Sequence, residues 1–219
     1  VVIIGDAAHI HLPAGGQGMN VSILDAANLG WRLAQAVKTH SRVPLQAFEL
    51  ERKEAAMELL NNTRALGQLF LRGVEIDPLR EVVAKLLEEP LSARNLARSV
   101  SSVNLRHNFE YAFKDEAVGR RALSGVFPEL PWETKRSGLQ KTGQWLYIST
   151  QDPDDECELV LDRFNIPQLK TSSICCETEK EQVNRNAILL RPDGVIAWTD
   201  QSDISLEMAF TYWSTKNTH

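Results

Sequence analysis

The apolar positions of this chain change their period as it is read from its start. Residues 1–4, Val-Val-Ile-Ile, form a short apolar run that stops at Gly5-Asp6, the signature of a strand ending in a turn. A glycine-rich stretch follows. Residues 19–38 then carry a helical pattern that is apolar on most faces, with Ala26, Ala27, Ala34 and Ala36 allowing close packing, so this helix is expected to be buried rather than amphipathic. His40-Ser41-Arg42-Val43-Pro44 ends it, because proline cannot continue a helix. From 44 to about 110 the pattern is mostly helical, with Phe48, Leu50, Ala55, Leu59, Leu60, Leu66, Leu69 and Phe70 at three- and four-residue spacing. Asp77-Pro78 predicts a new helix with Asp77 as its N-cap, ending at 88 or 89 before Pro90. A third helix covers 91–100. The alternation of Val103, Leu105, His107 and Phe109 predicts a strand.

Beyond Gly119 the pattern is mixed. Pro128, Pro131 and Gly138 mark an irregular stretch. Residues 144–150 read as a strand, 156–164 as a short helix and 186–190 as a strong strand. Arg191-Pro192-Asp193-Gly194 then separates that strand from its return at 195–198, since Asp-Gly between apolar strands is a strong hairpin signal. The expected fold class is therefore α/β.

Composition narrows the picture only modestly. A length of 219 residues suits one large or two modest domains, and 43% hydrophobic with 24% charged residues is ordinary for globular proteins. A net charge of −5 argues against nucleic acid as a partner, because phosphate binding needs a basic surface. No apolar run approaches the roughly 18 residues of a membrane helix, and no signal peptide is visible, so no membrane association is expected. Cys157, Cys175 and Cys176 offer neither a Cys-x-x-Cys nor a His/Cys ligand spacing, which disfavours zinc and dithiol chemistry. Their odd number suits a reducing cytoplasm, the expected location. Adjacent Cys175 and Cys176 read as two thiols or as a strained ring disulfide.

The candidate chemistry is concentrated in residues 3–20, IIGDAAHIHLPAGGQGMN. A helix beginning near Gly18 presents unpaired backbone N–H groups and a dipole that favours negative charge. The glycines would let a flat ligand approach the backbone. Asp6, at the end of the strand, could accept hydrogen bonds from a sugar or polyol. The plainer reading is a strand–loop–helix corner of some other α/β protein.

The order of these residues also resembles a known family. Gly5-Asp6-Ala7-Ala8-His9, then Pro13, then Gly15-Gly16-Gln17-Gly18-Met19-Asn20, then Asp25-Ala26-Ala27-Asn28-Leu29-Gly30-Trp31-Arg32-Leu33-Ala34, is similar to the second FAD-binding motif of the single-component flavoprotein aromatic hydroxylases (the p-hydroxybenzoate hydroxylase superfamily, with the phenol and aromatic-polyketide hydroxylases). Phe48-Glu49-Leu50-Glu51-Arg52 resembles their Tyr-x-x-Glu-Arg segment. Gly119-Arg120-Arg121-Ala122 resembles the start of their C-terminal thioredoxin-like domain, and LLRPDGVIAW its closing hairpin. The resemblance implies a partial FAD-binding, Rossmann-like domain with long helices at 1–117, then a thioredoxin-like domain without Cys-x-x-Cys at 118–219 that serves packing or dimerisation. It implies that Asp6 binds the ribityl chain of FAD and that Pro13 sits beside the reactive flavin carbon. It places Gly18, Met19 and Asn20 at the pyrimidine edge, with Gly15 and Gly16 giving backbone access.

The activity so implied is FAD-dependent hydroxylation of an aromatic or phenolic substrate, with NAD(P)H as reductant and O₂ as oxygen source; no side chain is expected to be catalytic. The chain opens on Val1 and carries no Gly-x-Gly-x-x-Gly fingerprint for the ADP half of FAD. It is therefore expected to be the C-terminal two-fifths or so of such an enzyme, inactive without an N-terminal half or a homodimer partner. The alternative is a homologue that has lost redox function and works as a cofactor-free cyclase, isomerase or partner-binding scaffold. His9 and His11 read as a metal pair, a general base or, in the plainer view, turn-closing residues. Asp25 and Arg32 are expected to satisfy backbone groups or partners in an absent part of the FAD domain.

Overall fold

The computed structural model describes residues 1–12, 16–70, 73–100, 105–107, 115–122, 126, 143–177 and 182–215. Its contacts divide the chain into two units, Val1–Ala27 with Leu50–Leu105, and Asn28–Glu49 with Arg106–His219. The expected α/β class holds.

The first unit opens differently from expectation. Residues 1–4 are not in a strand, although Ile4 is extended at φ −137° and ψ 165°. A strand exists only where a neighbour supplies its hydrogen bonds, and no described segment pairs with this one. A 3₁₀ turn follows at Gly5–Ala7. Helix α1 runs over Gly18–Thr39 and α2 over Val43–Phe70, with His40 at φ 51° closing the first and Pro44 in the opening turn of the second. Both cross from one unit to the other. Helices α3 (Asp77–Leu87) and α4 (Pro90–Val100) complete the first unit. Asp77 is not the N-cap: Ile76 holds that position without a side-chain bond, and Asp77 and Pro78 lie inside the first turn. A carboxylate there still suits the helix dipole.

The expectation that α1 is buried all round is also corrected. Met19, Ile23, Leu33 and Val37 are exposed, while the buried stripe is Val21, Asp25, Asn28, Arg32 and Ala36. Its spacing of four, three, four and four residues is a single helix face. That face is largely polar, so hydrogen bonding rather than apolar contact decides what it packs on.

The second unit holds a four-stranded sheet in the order β2-β1-β5-β6, from β1 (Leu146–Ser149), β2 (Gln168–Lys170), β5 (Ala187–Leu190) and β6 (Ile196–Thr199). Helix α5 (Asp155–Arg163) connects the parallel pair β1 and β2, with Asp154 capping it by accepting from the Cys157 N–H at 2.8 Å. The hairpin β5–β6 is antiparallel, and helix α6 (Leu206–Thr215) follows it. This βαβ unit joined to a ββα unit is the expected thioredoxin-like arrangement. Alternate residues feed two apolar clusters on opposite faces: Tyr147 and Leu189 join Trp198 and Trp213 in one, and Leu146, Ile148, Ile188 and Leu190 form the other. A separate two-stranded ribbon, β3 (Ile174–Glu177) with β4 (Gln182–Arg185), carries Cys175 and Cys176 as free thiols; burial pushes the Cys176 thiol up to about 12. The strand expected at 102–109 lies mostly outside the described residues, which show only Arg106 bridging Arg120.

Candidate flavin site at the start of helix α1

The start of α1 is open as a hydrogen-bonding surface. The Val21 N–H bonds to the Gln17 carbonyl at 3.1 Å, so the N–H groups of Gly18, Met19 and Asn20 precede the helical ladder. Met19 is 73% exposed, and Asn20 is exposed. Gly16 takes φ +68°, and among the described residues nothing lies within 4 Å of where a side chain on it would begin. Asp6 is exposed on the 3₁₀ turn. Pro13 and Gly15 lie outside the described residues.

A buried ionic network ties that turn to α1 and α2. Asp25 Oδ2 accepts the Gly5 N–H at 2.9 Å and lies 2.7 Å from His9 Nε2, while Oδ1 accepts from Arg52 Nε at 2.6 Å. Arg52 Nη2 also donates to the Val21 carbonyl at 3.4 Å. Burial alone would raise the Asp25 carboxyl; the bond from His9, the charge of Arg52 and the Gly5 N–H together hold it below the usual range. Gly5 sits against α1 at φ +62°, where a Cβ would come within 3.2 Å of Ser22 Oγ. These contacts set where the Asp6 turn stands on the helix.

Of the two expectations for Asp25 and Arg32, backbone partners are found, at the Gly5 N–H and the Pro44 carbonyl, and the outward-looking one is corrected. Asp25 is satisfied within the first unit. Within the second, Arg32 donates to Asn28 Oδ1 at 3.0 Å and lies over the Trp31 ring at 4.4 Å. Asn28 in turn donates to Asp193 at 3.1 Å. Their residue types predict buried polar roles, but apart from the bond between Arg32 and Asn28, four residues apart on α1, the partners of Asp25, Asn28 and Arg32 lie 12 to 165 positions away in the chain, beyond the reach of local pattern.

Two residues of the site carry more than sequence reasoning gave them. The His11 ring lies on the helix start: a Cβ on Gly18 would meet His11 Nε2 at 2.6 Å. Its Nδ1 donates to the Leu12 carbonyl at 2.7 Å, and it stacks on the His9 ring with centroids 6.4 Å apart. Gln17, 1% exposed, immediately precedes the helix. Among the described residues, His9 Nδ1, Gln17 Nε2 and Ser22 Oγ are buried without a hydrogen-bond partner. Unfilled buried polar atoms, helix-start N–H groups that precede the helical ladder and an exposed carboxylate together form a donor and acceptor set that fits the edge and polyol of a flavin. Among the described residues no group of three or more His, Cys, Asp or Glu could hold a metal ion, and no helix is long and apolar enough to cross a membrane.

Comparison with known proteins agrees with this geometry. Residues 1–63 match the family described as the FAD binding domain. Rifampicin monooxygenase of Rhodococcus hoagii is 31% identical over 97% of this chain and 41% of its own length. The 12-dehydrotetracycline 5-monooxygenase/anhydrotetracycline 6-monooxygenase of Streptomyces rimosus is 34% identical over 91% of the chain and 39% of its own length. Among solved structures, BexE, studied for oxidation during BE-7585A biosynthesis, superposes with a TM-score of 0.81 at 33% identity over all of this chain and 45% of its own. CabE, an aromatic hydroxylase from angucycline biosynthesis, gives 0.79 at 33% identity over 98% and 44%. The chain thus spans about two-fifths of the length of the curated relatives it matches. Over that portion, the chain is similar to aromatic monooxygenases, and its residues 1–63 match the FAD binding domain family.

Proposed function

We propose that this chain supplies the isoalloxazine and ribityl half of the flavin site in an NAD(P)H- and O₂-dependent hydroxylation of an aromatic small molecule. The carrying observation is the coincidence of the FAD-binding match at 1–63 with a helix start whose first N–H groups face no helical partner. Asp6 accepts from the polyol hydroxyls. The backbone N–H groups of Gly18, Met19 and Asn20 donate to the carbonyl-bearing pyrimidine edge. Gly15 and Gly16 let the ring approach the chain, and Pro13 flanks its reactive carbon. When bound, FAD supplies the redox and oxygen-transfer chemistry. The helix end contributes fixed dipoles that stabilise negative charge on the pyrimidine edge without reorganising.

The relatives' length supports a further part of the reading, that the ADP half of FAD is held by an N-terminal region or by a partner subunit. Residues 1–117 would then complete the flavin domain, and 118–219 would form the thioredoxin-like domain that packs or dimerises without redox chemistry. Titration of the chain with FAD, followed by quenching of flavin fluorescence, tests the site. Saturable quenching that Asp6→Ala weakens about tenfold is expected, the size of one charge-assisted hydrogen bond. Unchanged binding in that variant would remove Asp6 from the site. A cofactor-free cyclase, isomerase or scaffold predicts no flavin binding and function that survives Asp6→Ala.

A further inference from the structure

We infer that His9 is a ligand-binding residue whose Nδ1 accepts a hydrogen bond from a hydroxyl of the polyol chain held by Asp6. This rests on the flavin reading above. Asp25 accepts from both the Gly5 N–H and Arg52, so it is a carboxylate and has no proton to give. The short contact to His9 Nε2 at 2.7 Å therefore places the ring proton on Nε2. A second proton on Nδ1 would add a charge to a ring only 4% exposed, beside a carboxylate whose charge Arg52 already balances. With the proton on Nε2, the neutral tautomer leaves the Nδ1 lone pair as an acceptor.

That lone pair is buried and has no partner among the described residues. A buried acceptor is destabilising until a donor reaches it. The ring belongs to the turn that carries Asp6, since the His9 N–H bonds to the Gly5 carbonyl at 3.1 Å. It stacks on His11, which covers Gly18 at the helix start, so it stands beside the proposed site. The chemistry of the ligand follows. The helix start offers donors and suits carbonyl oxygens, whereas Asp6 and His9 Nδ1 are two acceptors on one turn. A polyol has several hydroxyls that can donate to both.

The experiment uses the full 219-residue chain with ¹⁵N-labelled histidine, and riboflavin and lumiflavin as probes. The two share the ring system and only riboflavin has the polyol. Ring ¹⁵N spectra, with His9 assigned by loss of its signals in His9→Asn, should show Nε2 protonated and Nδ1 bare in the free chain. Riboflavin should move the Nδ1 resonance toward the hydrogen-bonded position; lumiflavin should be quenched on binding yet leave it unmoved. His9→Asn should weaken riboflavin about tenfold more than it weakens lumiflavin. A proton on Nδ1 in the free chain, an Nδ1 that ignores bound riboflavin, or one that responds to lumiflavin overturns the role of His9 while the flavin site stands. Failure of both flavins to bind overturns the flavin reading and the proposal with it.

Discussion

Gly18 shows how one residue answers to two constraints. The flavin resemblance asks for glycine so that a ring can approach the helix start, but in the folded chain the space beside its Cα is already taken by the His11 imidazole. Gly18→Ala should therefore displace His11, costing about 1 kcal/mol or somewhat more. His11→Ala should relieve most of that cost in the double variant, an interaction readable from urea unfolding midpoints. Asp25 is the second residue to test. Asp25→Ala would leave Arg52, 6% exposed, without its counter-charge, and about 3–5 kcal/mol of stability should be lost. Acid acts in the same direction. Asp25 and Asp115 both titrate below their ordinary range; burial opposes this, and bonds from His9, Gly5 and Arg52 on the one, and from Arg185, Thr199 and the Ala117 N–H on the other, outweigh it. The unfolded chain then binds more protons than the folded one at mildly acidic pH, so stability rises with pH. It should be fully present above the unfolded carboxyl value of about 3.9 and fall away as pH drops through the lower folded values, as unfolding midpoints between pH 6 and 2 would show.

Among the elements, α1 and the α3–α4 pair contrast most. The extent of α1 followed from its periodicity, and its boundaries agree within a residue. Which face it buries did not. An apolar pattern on several faces suggests burial all round, yet the polar bonds of Asp25, Asn28 and Arg32 turn the polar stripe inward and leave Ile23, Leu33 and Val37 outside. Helices α3 and α4 were legible from Asp77-Pro78 and Pro90, but neither buries a single residue, and Val82, Leu86 and Leu91 are exposed. With few apolar contacts to open, their amides should exchange with solvent at least tenfold faster than those of α2 around Ala55 and Leu59, a difference hydrogen-exchange mass spectrometry resolves.

At the scale of the whole molecule, apolar burial is unequal. Both large clusters of buried apolar residues lie in the second unit. The buried residues of the first are few and often polar: Val21, Ala55 and Leu59 beside His9, Gln17, Asp25, Arg52 and Thr63. Most of the exposed large apolar side chains among the described residues also belong to the first unit, Val2, Ile3, Ile10, Leu12 and Met19 among them. All five tryptophans fall in the second unit by position, while α3, α4 and most of α2 fall in the first. Unfolding should therefore lack a single transition: helical circular dichroism should begin to fall at lower urea than tryptophan fluorescence. A ligand bound by the first unit should move the earlier transition and leave the later one in place. Coincident curves that shift together would show the two units to be energetically one.

The sequence alone determined the helices, the closing hairpin and the segment that identifies the family, because these depend on residues within a few positions of one another: periodicity, proline, Asp-Gly and the run from Gly5 to Ala34. Tertiary structure decided the rest. The strand expected at 1–4 failed to form, since backbone pairing needs a neighbour that local pattern cannot supply. The short strands β2, β3 and β4 were missed because partners across the sheet, more than their own composition, define them. His11 against Gly18, and Asp25 between His9 and Arg52, came from contacts that only folding brings together. For that reason the sequence could name Asp6 and the glycine-rich turn, and only the fold could show what holds that turn against the helix.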